Sequence, residues 1–367
     1  MALQRVAVTA LPIGSYVVAV TRQQGDVVVK HAGWVTSAQS IALLRQRGVL
    51  EVAIDPARQL APAVQSTVAP PMLPARQPAK ISFEQEISRA ELVFRLSQQQ
   101  AELALSRLIL QQQVDFSSLN QLSGRLLEST RRNRQALLFL QQVSQQDDAL
   151  LQHSISCACL MAAFCAHQAL EEPLAEQLTM AALLHDVGAL QLKLSLSGRA
   201  FSDSAAAAAS VALLQQQADC PPVLLQSIRQ HCLDLAQQHS PGGKMLAIVN
   251  CYSKLMAKGQ KTSSVQAAQW LQQRADHSLD RSLLQDFLRC VGLYSPGCAV
   301  RLKSGRIGLV LENHPQHSDK PTVKVFYHSR HRHHLPAKLV DLARQPEERL
   351  EACVDLADYQ LELPHYC

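Results

Sequence analysis

Aromatic side chains are scarce in this chain: Phe, Trp and Tyr together make up 4% of 367 residues. Its 47% hydrophobic content is therefore mostly aliphatic, and the dominance of Leu, Ala and Gln favours helices. No two cysteines stand in CxxC spacing, which removes a zinc ribbon. The 10 cysteines are scattered, and Cys157, Cys159 and Cys165 sit inside apolar helical runs, a usage that fits reduced thiols in a cytoplasm. No apolar run reaches the roughly 18 residues of a membrane span, and the opening MALQRVAVTALPIG lacks a secretory pattern. The net charge of +5 is modest and dispersed, so nothing points to specific nucleic-acid binding. A glycine-rich phosphate loop and a local Ser-His-Asp arrangement are also missing.

What is present reads as a mainly α chain of two or three domains. Residues 1–55 have the pattern of a small α+β regulatory domain. SYVVAV and DVVVKHAGWV are strands, and SAQSIALLRQRGV is a short helix with Ser37 as N-cap and Gly48 after its last turn. Residues 56–81 contain six prolines and no apolar period, and read as an extended linker. A helix over 82–113 starts at Ser82 with Gln85 placed for a capping box. Its Leu96, Leu103 and Leu110 fall seven apart, which suits either a homodimer seam or an ordinary packing face. Helical patterns continue to residue 291. Residues 292–345 read as a small β module with a Ser304-Gly305 hairpin turn and PTVKVFYH as a third strand, and 346–367 as a polar tail.

Inside AALLHDVGAL, His185 and Asp186 close an apolar helix, and Gly188 is positioned as a left-handed cap. An aspartate in a last turn faces the negative end of the helix dipole, at a cost of about 0.3–1 kcal/mol. A nearby cation would offset that cost, and an imidazole beside a carboxylate suits iron, manganese or zinc. Two ligands hold no metal, so partners are needed. Three more polar residues interrupt apolar helices: His153 in LLQHSISCACL, His231 in PPVLLQSIRQHCLDLA and Asn250 in KMLAIVNCYSKL. Each alone is an ordinary satisfied core residue, whereas their coincidence with the His-Asp pair suggests convergence.

This order of residues resembles the HD superfamily of metal-dependent phosphohydrolases, and within it the HD-GYP branch that hydrolyses cyclic-di-GMP. RQHC is similar to that branch's HHE start and AIVNCYSKL to its DVYDAL helix. The segment from LPIGSYVVAV to GVLEVAID is similar to the small domain that often precedes it, and LYSPGCAVRLKSGRIGLVLEN to the β module that follows. The resemblance implies a helical bundle holding metals that acidify water and clamp a phosphoryl group. It places His153, His185, Asp186 and His231 at ligand positions, with Asn250 and Cys232 as further candidates. Asp186 takes the catalytic, metal-bridging place.

The departures from the family pattern fall on chemistry. Ala149 stands where the family has Glu, with Asp147 and Asp148 expected on another face; Ala189 stands in place of a phosphate-contacting Lys. FSDSAAAAASVALL supplies no histidine, Cys232 replaces the second His, Asn250 the closing Asp, and the GYP loop has no counterpart in LDLAQQHSPGGK. The expectation is one divalent ion (Fe, Mn or Zn) or none, bound in a degenerate cyclic-di-GMP signalling protein. It would act as a binding or scaffold module for the nucleotide or for a signalling protein partner. The alternative is a phosphodiesterase with a reduced ligand set. In YHSRHRHHLP, His331 and His333 would share a strand face among His328, His334, Arg330 and Arg332, as a solvated basic edge or a second metal site.

Overall fold

A computed structural model describes residues 3–12, 15–24, 33–35, 41, 44–45, 48–59, 79–144, 148–195, 201–257, 262–314 and 317–362. The chain forms two compact units, residues 1–76 and 77–367. In the first, β1 (Gln4–Ala7), β2 (Ser15–Gln23), β3 (Gly33–Trp34) and β4 (Val49–Gln59) make an antiparallel sheet ordered β1-β4-β2-β3. Val8, Leu11, Val17, Val49, Val52 and Ile54 form its core. Gly48 adopts φ +76° immediately before β4, as a helix-ending glycine should. The Ser37 cap and most of the expected DVVVKHAGWV strand lie outside the described residues. The linker does not begin at residue 56: β4 continues through Pro56 to Gln59. Pro56 falls in a register irregularity between Asp55 and Gln59, where the missing N–H breaks no ladder bond.

The second unit opens with α1 (Phe83–Gln111), entered through the expected capping box. Gln85 N–H donates to Ser82 Oγ, and the Gln85 side chain accepts from the Ser82 N–H. Leu96, Leu103 and Leu110 are exposed along it. Helix α2 (Phe116–Val143) kinks at Asn133, where φ −156° leaves the helical range. The Asn133 side chain donates to the carbonyl of Ile81 and to Glu312 and accepts from the Gln135 N–H, replacing lost helical bonds. Glu86 is fully buried between Arg132, at 2.8 and 2.9 Å, and Ser129, at 2.8 Å; this pins α1 to α2.

Helices α3 (Ala149–His167), α4 (Glu172–Leu184), α5 (Val187–Ser195), α6 (Asp203–Leu214), α7 (Pro222–Gln230), α8 (Pro241–Met256), α9 (Ser264–Gln273) and α10 (Arg281–Val291) complete the bundle. Their core includes nearly all of α3. Two expectations change here. Ala149–His167 is 19 residues long and apolar enough by composition to cross a membrane, because His153, Ser154 and Ser156 interrupt the run without charging it. It packs as a core helix, with Ile155 through Cys165 buried. Asp148, moreover, is the N-cap of α3: its Oδ1 accepts from the Leu150 and Leu151 N–H groups.

The last strands are β5 (Ala299–Leu302), β6 (Arg306–His314), β7 (His317–His328), β8 (His333–Asp341) and β9 (Leu350–Cys353), in the order β8-β7-β6-β5-β9. The Ser304-Gly305 turn joins β5 to β6, with Gly305 at φ +90°. Ile307, Leu309, Leu311 and Phe326 pack against Phe83, Ala90, Ala136 and Phe139 of α1 and α2. The tail is not featureless. Its β9 pairs with the otherwise open edge of β5, and a 3₁₀ turn (Leu356–Tyr359) buries Leu356. His331 and His333 do not share a strand face. His331 lies in the turn after β7, where Arg332 takes φ 50°, and only His333 enters β8.

Candidate metal centre

Four helix ends and interiors meet at one buried cluster. Helix α3 carries His153 one turn inside its start. His185 is the C-cap of α4, Asp186 follows at the junction with α5, His231 is the C-cap of α7, and Asn250 lies in mid α8. His185, Asp186, His231 and Asn250 are all buried, and His153 exposes only 9% of its side chain. The sequence-based role of Gly188 needs correcting. It is not among the positive-φ residues but sits in the first turn of α5. Its requirement is close approach: a Cβ there would lie 2.3 Å from the Ser210 nitrogen and 2.5 Å from the Ala206 oxygen of α6. Asp186 therefore precedes a helix N-terminus as well as following a C-terminus, and the dipole of α5 favours its charge.

The hydrogen bonds fix how the imidazoles present their nitrogens. His185 Nδ1 is 2.8 Å from the Ala182 carbonyl and His231 Nδ1 is 2.7 Å from the Ile228 carbonyl. A carbonyl only accepts, so Nδ1 carries the proton in both rings and each Nε2 offers a lone pair. His153 Nδ1 lies 2.9 Å from Ser253 Oγ, and its Nε2 is 3.3 Å from His185 Nε2 and 3.1 Å from Asn250 Oδ1. Asp186 Oδ2 stands 3.6 Å from both Nε2 atoms. Ring centroids are 5.2 Å apart for His153 and His185 and 5.3 Å for His185 and His231.

These values fit a shared ion. Two nitrogens bound at ~2.1 Å to one tetrahedral metal lie about 3.4 Å apart, and their ring centroids about 5 Å apart. The backbone carbonyls on Nδ1 are the orienting partners that metal-bound histidines use. Cys157, one helical turn after His153, joins them: a group of His153, Cys157 and His185 brings ligand atoms within 4.8 Å of one another. Cys232 reaches the cluster through His231, its Sγ 3.1 Å from Nε2.

Burial governs the charge states. It lowers His153 to about 3, helped by the neighbouring His185. It lowers His231 to about 4 by the same two effects, so both rings are neutral and free to ligate at pH 7. Burial alone would raise Asp186, but His185, Lys254, His153 and His231 outweigh it and hold the carboxyl below its ordinary value. Burial pushes the Cys157 thiol up and the Cys232 thiol up to about 12, keeping both protonated until a cation displaces the proton.

Of the six candidate ligands, His153, His185, Asp186, His231 and Asn250 thus come together, and Cys232 adjoins them through His231. Three neighbours escaped the sequence reading: Cys157, Ser253 and Lys254. Helical spacing could have found them, since Cys157 is four residues after His153, and Ser253 and Lys254 are three and four after Asn250. Ala149 is exposed at the first turn of α3, and Ala189 is buried in the first turn of α5. Neither position brings a carboxylate or a cation to the cluster.

A family described as a domain of unknown function (DUF3391) matches residues 3–121, a span that takes in the N-terminal sheet, α1 and the start of α2. A cyclic di-GMP phosphodiesterase of Pseudomonas aeruginosa is 27% identical over 376 aligned positions, covering 93% of this chain and 89% of that protein. A solved structure of an HDG"Y"P protein from Bdellovibrio bacteriovorus overlays with a TM-score of 0.45 at 15% identity, covering 78% of this chain and 98% of that one. In the ordered convergence of His153, His185-Asp186, His231 and Asn250 the chain is similar to the HD-GYP family, and over 93% of its length it is similar to a protein named a cyclic di-GMP phosphodiesterase.

Proposed function

We propose that this chain is a cytoplasmic cyclic-di-GMP signalling protein whose HD-GYP-type pocket binds the nucleotide around at most one divalent ion and does not turn it over by two-metal hydrolysis. One observation carries the reading: where the pocket needs a second carboxylate, Asn250 presents a neutral amide oxygen 3.1 Å from His153 Nε2. Adjacent dications repel each other, and bridging carboxylates are what make their proximity tolerable. Asp186 is one carboxylate among imidazoles, a carboxamide and protonated thiols. That set suits a single ion such as Zn²⁺, Fe²⁺ or Mn²⁺. When bound, the ion would supply a Lewis acid for a phosphoryl oxygen. The chain's own residues orient it through the Ala182 and Ile228 carbonyls and exclude bulk water by burial. In this reading the N-terminal unit is regulatory, and the output passes to a protein partner.

Direct measurement separates this from the alternative. Bound iron, manganese and zinc are quantified in purified protein, and cyclic-di-GMP binding and hydrolysis are followed with excess Mn²⁺. The expected outcome is one ion or fewer per chain with binding and no turnover. Two ions per chain, with hydrolysis abolished by Asp186→Ala, would overturn the proposal.

A second reading, slow hydrolysis on one ion with Asp186 catalytic, draws on the convergence of three imidazoles with Asp186 and on a relative named as a phosphodiesterase. In the same experiment it would appear as turnover at one ion per chain.

A further inference from the structure

Lys254 has no counterpart among the ligand positions considered so far, yet its charge is felt at this site. Helix α8 places it four residues after Asn250, on the same face, and Ser253 of the same turn contacts His153 at 2.9 Å. Its Nζ is 2.7 Å from Asp203 Oδ2, in the first turn of α6. Helix α6 is also the helix that Gly188, two residues after Asp186, touches so closely; the Gly188 N–H donates to Ser210 Oγ at 2.8 Å. The Lys254–Asp203 pair therefore links α8 to α6 beside the segment that carries Asp186. The ammonium's charge acts on Asp186, His153, His231 and Cys232 alike.

The two partners differ in how easily they can move. The Asp203 side chain is 65% exposed, against 36% for Lys254. A pair this exposed holds together only weakly, so Asp203 can turn into water while Lys254, its stem partly buried, stays. What then remains is an ammonium without its Asp203 partner, whose charge reaches the neutral His153 and His231 and the single carboxylate of Asp186; a free ammonium of this kind takes an anion. A phosphodiester carries one negative charge per phosphate on non-bridging oxygens, and Lys binds such groups as a point charge.

Resting on the reading that the pocket binds a phosphoester, we infer that Lys254 is its anion anchor. The ammonium pairs with a non-bridging phosphoryl oxygen of the ligand, and Asp203 occupies that ammonium in the free protein as a competing internal anion. This would place the positive contact on α8, since Ala189 cannot provide it.

The test is calorimetric titration of the full chain at fixed ionic strength, with cyclic-di-GMP and, separately, with inorganic phosphate. Wild type is compared with Lys254→Met, Lys254→Arg and Asp203→Asn. Lys254→Met should weaken both ligands by about 10-fold or more, as expected for losing a hydrogen bond to a charged group. Lys254→Arg should retain most of the affinity. Asp203→Asn should tighten binding by up to about 5-fold, the scale of a released surface ion pair. This gain also tests the exchange if Lys254→Met fails to fold. Cyclic-di-GMP bound equally well by wild type and a folded Lys254→Met overturns the anchor and leaves the nucleotide reading standing. Phosphate bound through Lys254 with no binding of cyclic-di-GMP supports the anchor and overturns the nucleotide reading. Wild type binding neither ligand overturns both, and weaker binding by Asp203→Asn overturns the competition.

Discussion

Asn250 Oδ1 lies 3.1 Å from His153 Nε2, so α8 and α3 meet through a carboxamide and an imidazole. Replacing the amide by a carboxylate is the smallest change that tests what the pocket lacks. Asn250→Asp should raise affinity for Mn²⁺ or Zn²⁺ by about 10-fold, the scale on which groups around a metal act. It should not establish hydrolysis, because Ala149 and Ala189 still contribute nothing to the site. Metal content by mass spectrometry and product formation by chromatography check both halves. Robust turnover by this single variant would contradict the proposed function.

Acid should loosen the protein in a defined window. Burial holds His153 at about 3 and His231 at about 4, whereas both titrate near 6.5 once unfolded. Between those values the unfolded chain takes up protons that the folded chain refuses, so stability is full above pH 6.5 and falls as pH drops towards 4. In chelator-treated protein the melting temperature should decline steadily from pH 7 to 4.5. His231→Gln should flatten part of that slope, and a level profile in wild type would count against neutral, buried rings.

Glu86 supplies a prediction away from the site. It is fully buried and accepts from Arg132 and Ser129. Glu86→Ala leaves the Arg132 guanidinium, with 12% of its side chain exposed, without that partner. The cost should be about 3–5 kcal/mol, read from urea unfolding, and Glu86→Gln should cost less.

Gly188→Ala should be damaging even though its φ suits any residue. The added methyl would meet the Ser210 nitrogen and the Ala206 oxygen, and backbone cannot swing aside as a side-chain tip can. Overpacking of this kind costs about 1–3 kcal/mol. Because α5 carries Asp186 at its start, metal affinity should fall with stability. Unchanged melting would show that α6 yields freely.

Helical spacing and caps were local matters, and the sequence announced them: the Ser82 capping box, the Ser304-Gly305 turn and the apolar α3 all formed where expected. The role of Gly188 and the strand at Leu350–Cys353 could not be read locally. The first depends on how near another helix runs, and the second on an open edge supplied by β5 some 50 residues earlier.

For the site, the chain itself dictated which helices carried an out-of-place polar residue. Folding alone decided that His153, His185, Asp186, His231 and Asn250 share one water-poor volume, and that Cys157, Ser253 and Lys254 join them. Proximity and desolvation arise between segments distant along the chain, and these set both the tautomers and the charges on which any ligand must act.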